Sequence, residues 1–127
     1  MKINRLLTNL ACRNLSQSTQ FYTSLFDLRV NYESDWFIQL VASDSPFELG
    51  LINPDNTAAQ TVFPAQARGA VSGAYLTFVV DSADVLHQQA KQLGFTILQP
   101  PEMTFYGQKR LLLQAPEGTI CDVSSLE

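Results

Sequence analysis

Histidine is nearly missing from this chain: His87 is the only one among 127 residues. Chemistry that leans on imidazole, whether a metal site with several nitrogen ligands or a Ser-His or Cys-His nucleophile pair, has a single residue to draw on. His87 falls beside Gln88 and Gln89 in a helical pattern, off the apolar stripe, and reads as a surface residue. Charge is sparse too. Charged residues make up 16%, and 8 basic against 12 acidic side chains leave a net charge of -4. Nucleic-acid-binding domains concentrate basic residues on one surface, so that class is excluded. The longest basic run, Lys109-Arg110, reads as ordinary surface charge. No stretch approaches the roughly 18 apolar residues of a membrane span. At the start of the chain Asn4, Arg5, Thr8 and Asn9 interrupt any signal-peptide core, so the expected location is the cytoplasm. The two cysteines, Cys12 and Cys121, lie in apolar strand-like runs and are expected to be reduced core residues. No glycine-rich phosphate loop is present.

What the chain does have is apolar side chains, 46% of the total. That suits one domain, 1–127, burying roughly two thirds of its unfolded surface, with a surplus for a pocket or a subunit interface. Its organising fact is a repeat. Residues 73–95, GAYLTFVVDSADVLHQQAKQLGF, read as a strand feeding an amphipathic helix. Leu76, Phe78 and Val80 face one way and Tyr75, Thr77 and Val79 the other. Asp81 or Ser82 caps a helix with the stripe Val85, Leu86, Ala90 and Leu93, and Gly94 stops it. Residues 5–28 are a looser version, with a strand to Cys12, Asn14 as N-cap, Gln17 three residues on, and Phe21, Tyr22, Leu25 and Phe26 at helical spacing. Three strand-like runs follow each helix: 28–33, 36–42 and 47–52 in the first half, then 95–98, 110–114 and 119–124 in the second. Pro100-Pro101 ends the first run of the second half. Between the halves, residues 53–72 lose all period and read as a connector.

The expected class is α+β, with two βαβββ modules (about 1–56 and 73–127) forming a curved mixed sheet. Each helix covers one sheet face, and the bare faces line a groove. By strand parity the groove residues are Leu7, Asn9 and Ala11, with Tyr75, Thr77 and Val79 in the repeat. Glu48, Gly50, Ile52, Asp122 and Ser124 join them from the closing strands.

Several short signals occur in order: Asn14-Leu15 followed by Phe21-Tyr22, then Phe78-Val79-Val80-Asp81, then Tyr106-Gly107-Gln108 before a strand, and the turn Ala115-Pro116-Glu117-Gly118-Thr119. Together they resemble the vicinal oxygen chelate superfamily, which includes glyoxalase I, bleomycin-resistance proteins, fosfomycin-resistance enzymes and extradiol dioxygenases. The resemblance covers nearly the whole chain, although the closing turn has Ala115 where the family has Asp. It implies paired βαβββ modules, usually in a homodimer, with a metal or a small molecule in the groove. In metal-dependent members two His and one or two Glu hold the ion. Carried onto this chain, the His positions fall on Leu7 and Tyr75, and the carboxylate positions fall near Glu48 and on Asp122. Leu7 cannot ligate, and a neutral phenol is a poor ligand for a divalent ion. No metal cofactor is therefore expected; a divalent ion on Glu48 and Asp122 is the alternative.

The function expected is metal-free binding of an aromatic or cationic small molecule, as in the bleomycin-resistance type of antibiotic-resistance protein. The candidate contacts are Leu7, Asn9, Trp36, Glu48, Tyr75, Thr77, Tyr106 and Asp122. Trp36, Tyr75 and Tyr106 offer flat faces, and a carboxylate such as Glu48 in an apolar groove favours a cation. Other readings stay open. Glu48 and Asp122 are equally read as carboxylates hydrogen-bonded at strand ends, Trp36 as packing between sheet and helix, and Tyr106 as a loop aromatic. A metal-dependent lyase or isomerase, or an accessory dimer without a small-molecule role, fits the same pattern. No nucleic-acid or membrane partner is expected.

Overall fold

Alternation at the start of the chain becomes β1 (Thr8–Ala11), and Asn14 opens α1 (Leu15–Leu25) by accepting the Gln17 backbone N–H on its Oδ1 at 3.0 Å. That bond satisfies one of the donors a helix leaves orphaned at its first turn. The structure, a computed structural model, describes residues 1–68 and 73–126. The chain divides into two units, residues 1–70 and 71–127. Each holds a four-stranded mixed sheet and one helix, the α+β arrangement of two βαβββ modules.

In the first unit β2 (Leu28–Glu33), β3 (Phe37–Ala42) and β4 (Glu48–Ile52) follow α1, and the sheet order is β1-β4-β3-β2. β1 runs parallel to β4, with Asn9 opposite Gly50 and Leu10 opposite Leu51, while β3 is antiparallel to both its neighbours. The period of two sends Leu10, Ile38, Leu40, Leu49 and Leu51 to the buried face. Phe21, Tyr22 and Leu25 of α1 are buried there, and the rings of Phe21 and Tyr22 meet edge to face at 5.0 Å.

The connector is more structured than its composition suggests. Short 3-10 turns at Ala59–Thr61 and Ala65–Ala67 shape it, and Ala59 and Phe63 are buried with Ile52. Ala11, Trp36 and Phe37 pack around them. Residues 69–72 of the expected connector lie outside the described residues.

The second unit repeats the plan: β5 (Leu76–Val79), α2 (Ala83–Gln92), β6 (Thr96–Met103), β7 (Lys109–Gln114) and β8 (Ile120–Ser125), in sheet order β5-β8-β7-β6. Of the two candidate caps Ser82 takes the position, its hydroxyl accepting from the Val85 N–H at 3.2 Å. Gly94 follows the helix at φ 76, a left-handed turn that glycine adopts without strain.

Two expectations need correction here. The apolar stripe of α2 is Ala83, Leu86 and Ala90, and Val85 and Leu93 are exposed. Small residues at either end let the helix lie close to the sheet, so the bulkier pair is left on its flank. The strand expected to end at Pro100-Pro101 instead runs through both prolines to Met103. β6 is an edge strand whose pairing with β7 slips between Ile97 and Gln99 and again between Gln99 and Glu102. An edge with irregular register has no need of the missing N–H groups. Among the described residues no helix is long and apolar enough to cross a membrane.

Candidate functional site

On the first unit, alternation places Asn9 and Ala11 of β1, Phe37 and Gln39 of β3, and Glu48, Gly50 and Ile52 of β4 on the face away from α1. Asn9 lies over Gly50: a Cβ at position 50 would collide with Asn9 Oδ1 and come within 3.1 Å of the Phe37 ring. Glu48 is enclosed by polar partners. Arg5 donates from Nε to Oε2 at 2.6 Å and from Nη2 to Oε1 at 2.5 Å, and Gln39 Nε2 donates to Oε1 at 2.6 Å. The Gln39 carbonyl in turn accepts from Asn31 Nδ2 at 2.9 Å. The bonds from Arg5 hold the Glu48 carboxyl below its usual range, against the opposite push of burial, and Glu48 raises Arg5 in return. Leu7 is half-buried just ahead of β1. Trp36 sits apart from these groups, packed against the Ile52, Ala59 and Phe63 cluster with its ring 5.7 Å from that of Phe37. It seals the connector onto the sheet face opposite α1.

The second unit gathers more of the expected residues. Thr77 of β5 and Leu112 of β7 both stand beside Asp122 of β8. Asp122 is buried and fully occupied: Thr77 Oγ1 donates to Oδ2 at 2.9 Å, while Arg110 Nε at 2.8 Å and Ser124 Oγ at 3.2 Å donate to Oδ1. The Arg110 guanidinium then reaches Tyr75, with Cζ 5.9 Å from the ring centroid. Its pKa is raised, first by the hydrogen bond to Asp122 and to a lesser degree by the nearby Tyr106 and Tyr75, against the opposing effect of burial. Tyr106 lies on the turn between β6 and β7, its ring edge-on to Phe105 at 5.2 Å. Tyr75, Thr77 and Asp122 are thus drawn into one cluster, and Arg110 is what joins them.

Neither carboxylate fits a resident metal ion as it stands. Both oxygens of each already accept strong hydrogen bonds, and one donor in each case is a guanidinium that an incoming cation would have to displace. Leu7 and Tyr75, onto which the resemblance carries the two His positions of metal-dependent members, supply no imidazole. Among the described residues no three His, Cys, Asp or Glu side chains are grouped to share an ion.

Sequence reasoning passed over both arginines. Lys109 and Arg110 do not form one surface charge patch. Lys109 Nζ bonds Asp84 Oδ2 of α2 at 2.7 Å, whereas Arg110 turns to the opposite face. The strand period of β7 was the signal that separates them. Arg5 precedes any strand and lies 43 residues from Glu48, and no local pattern links the two.

A family model described as the Glyoxalase/Bleomycin resistance protein/Dioxygenase superfamily matches residues 2–120. Among solved structures, a glyoxalase/bleomycin resistance protein/dioxygenase family enzyme from Burkholderia phytofirmans PsJN is 21% identical with a TM-score of 0.79, over 95% of this chain and 97% of that one. A lactoylglutathione lyase from Agrobacterium tumefaciens is 17% identical with a TM-score of 0.73, over 98% of this chain and 96% of that one. At these identities the likeness is one of fold. No curated protein matches the chain by sequence.

Proposed function

This chain belongs to the Glyoxalase/Bleomycin resistance protein/Dioxygenase superfamily, and from that premise we propose that it is a metal-independent small-molecule-binding protein that holds a flat aromatic ligand against its helix-free sheet faces. The observation that carries this reading is the pairing of Glu48 and Asp122, the carboxylates that the resemblance places near and at metal-ligand positions, each with an arginine of its own unit. Those carboxylates have their charge partners and need no ion. Tyr75, next to the guanidinium that Asp122 holds, and Tyr106, on the turn between β6 and β7, remain more than half exposed and offer ring faces for stacking. The same pairing removes the reason for a cationic ligand, which was an unpartnered carboxylate in an apolar groove. Glu48, lowered rather than raised, is also a weak general base. In this proposal the protein works in the cytoplasm as a homodimer and confers resistance by sequestering its ligand. Apolar residues exposed on the edge strands β2 and β6, among them Val30, Tyr32, Leu98 and Met103, support self-association.

A thermal-shift screen of aromatic compounds, run in EDTA on the wild type and on Tyr75→Ala and Tyr106→Ala, tests the binding claim. Compounds should raise the melting point in chelator and lose that effect in the variants. Shifts that appear only with added Zn, Ni or Mn, or no shift with any compound, overturn it. Light scattering decides between one chain and two.

A further inference from the structure

Arg110 enters the helix-free face of the second unit opposite Ser124, passes Asp122 and ends over the Tyr75 ring. It bonds Asp122 through Nε alone. Among the described residues neither Nη1 nor Nη2 makes a hydrogen bond, and the side chain keeps 28% of its exposure. The guanidinium is therefore fixed on one edge, while its end, two parallel N–H groups, has no hydrogen-bond partner among the described residues on a side chain that is still partly exposed. That end is the half of the fork that takes a carboxylate in a bidentate pair. Asp122, only 8% exposed and held as well by Thr77 and Ser124, anchors the cation from behind. The neighbouring cation Lys109 is turned away to Asp84. Next to the unpaired fork lies the exposed ring of Tyr75. A flat ring stacked on Tyr75 would bring a carboxylate attached to it onto the fork.

We infer that Arg110 is the anion-reading residue of this face, taking on Asp122 the place that a metal cation occupies in metal-dependent relatives, and that the ligand is a flat aromatic carboxylate. The inference rests on the binding reading above and names the class of molecule bound. It assigns a specificity-determining role to a residue outside the set the sequence offered, and it reverses the sign of the ligand charge expected there.

Three probes of one shape test it: 2-naphthoate, neutral 2-naphthamide and 2-naphthylmethylammonium, titrated into the 15N-labelled protein at pH 7. The readouts are the Arg110 side-chain Nε–H and the amides of Thr77 and Asp122. Naphthoate should bind at least about tenfold more tightly than the amide, about 1.4 kcal/mol, with the ammonium weakest. The double variant Arg110→Met/Asp122→Asn removes both ends of the ion pair, so no buried carboxylate is left alone. In it, acid and amide should bind alike. Arg110→Lys keeps a partner for Asp122 but loses the fork, and should weaken the acid while leaving the amide unchanged. Equal binding of acid and amide to the wild type, or an acid preference that survives in the double variant, overturns the role of Arg110 while aromatic binding stands. Failure of all three probes to bind counts against the binding reading itself, and this assignment falls with it.

Discussion

At the scale of single residues, the first unit turns on what stands beside β4. Gly50 is a glycine because of its neighbour: the space for a Cβ is filled by the Asn9 side chain, with the Phe37 ring close behind. Gly50→Ala should therefore destabilise the protein by about 1–3 kcal/mol, the usual cost of overpacking. Adding Asn9→Ala should recover most of that loss, and urea melts of the two single variants and the double variant measure the coupling. If the losses simply add, Asn9 is not what excludes the methyl. Glu48 gives a prediction in pH. Its folded-state pKa is lowered, with the Arg5 hydrogen bonds the largest cause. Its contribution to stability is therefore complete above the ordinary carboxylate pKa and is lost as pH falls through the lowered value. Arg5→Met should be less stable than the wild type near pH 7, and the gap should close on acidification. A gap independent of pH would mean that Arg5 acts by packing and not through Glu48. The face on which Asn9, Thr77 and Asp122 lie was legible from strand parity, because a period of two fixes sides. Which side chain would come to meet Glu48 was not legible, since a long flexible arginine from a segment without period leaves no local trace.

The elements show the same division between what local pattern encodes and what tertiary contact decides. Both helices begin where a capping residue stands; Asn14 was readable from residue type, whereas residue type left Asp81 and Ser82 as equal candidates and the structure selects Ser82. The buried face of α2 was not readable, because choosing Ala83 and Ala90 over Val85 and Leu93 depends on how closely the helix approaches its sheet. That approach is fixed by a bond outside the helix: the buried Ala83 N–H donates to Ser125 Oγ of β8 at 2.9 Å. Ser125→Ala leaves this N–H unsatisfied and should cost about 1–3 kcal/mol. Hydrogen exchange should quicken first at the start of α2, and uniform quickening across the second unit would argue against a docking role. In the connector, composition suggested a chain without structure, yet Phe63 is a buried plug against Ile52 and Trp36. Phe63→Ala should cost about 3 kcal/mol and expose residues 53–68 to limited proteolysis. An unchanged cleavage pattern would show that the 3-10 turns hold without their plug.

Across the whole chain the repeat that organises the fold does not extend to its carboxylates. Register aligns Asn9 and Gly50 of the first unit with Thr77 and Asp122 of the second, so a glycine answers to Asp122, and Glu48, two residues earlier on its strand, answers to Ile120. The two acids are not repeat mates, and each is neutralised inside its own unit by an arginine that has no counterpart in the other. On the metal-independent reading proposed above, side chains carry in this chain the positive charge that an ion carries in metal-dependent relatives. This has a thermodynamic consequence for the molecule as a whole. A resident ion present at a thousand times its Kd contributes about 4 kcal/mol to stability. In a domain of this size that moves the melting point by on the order of 10 °C. If Arg5 and Arg110 satisfy the carboxylates, the melting point should be the same in EDTA as in buffer with Zn, Ni or Mn. A fall of several degrees in chelator, restored by one of these ions, would mean that the guanidiniums give way to a metal. The same scan on Arg5→Met/Arg110→Met locates the cause: a metal-dependent rise that appears only in that variant shows that the two arginines are what keeps the ion out.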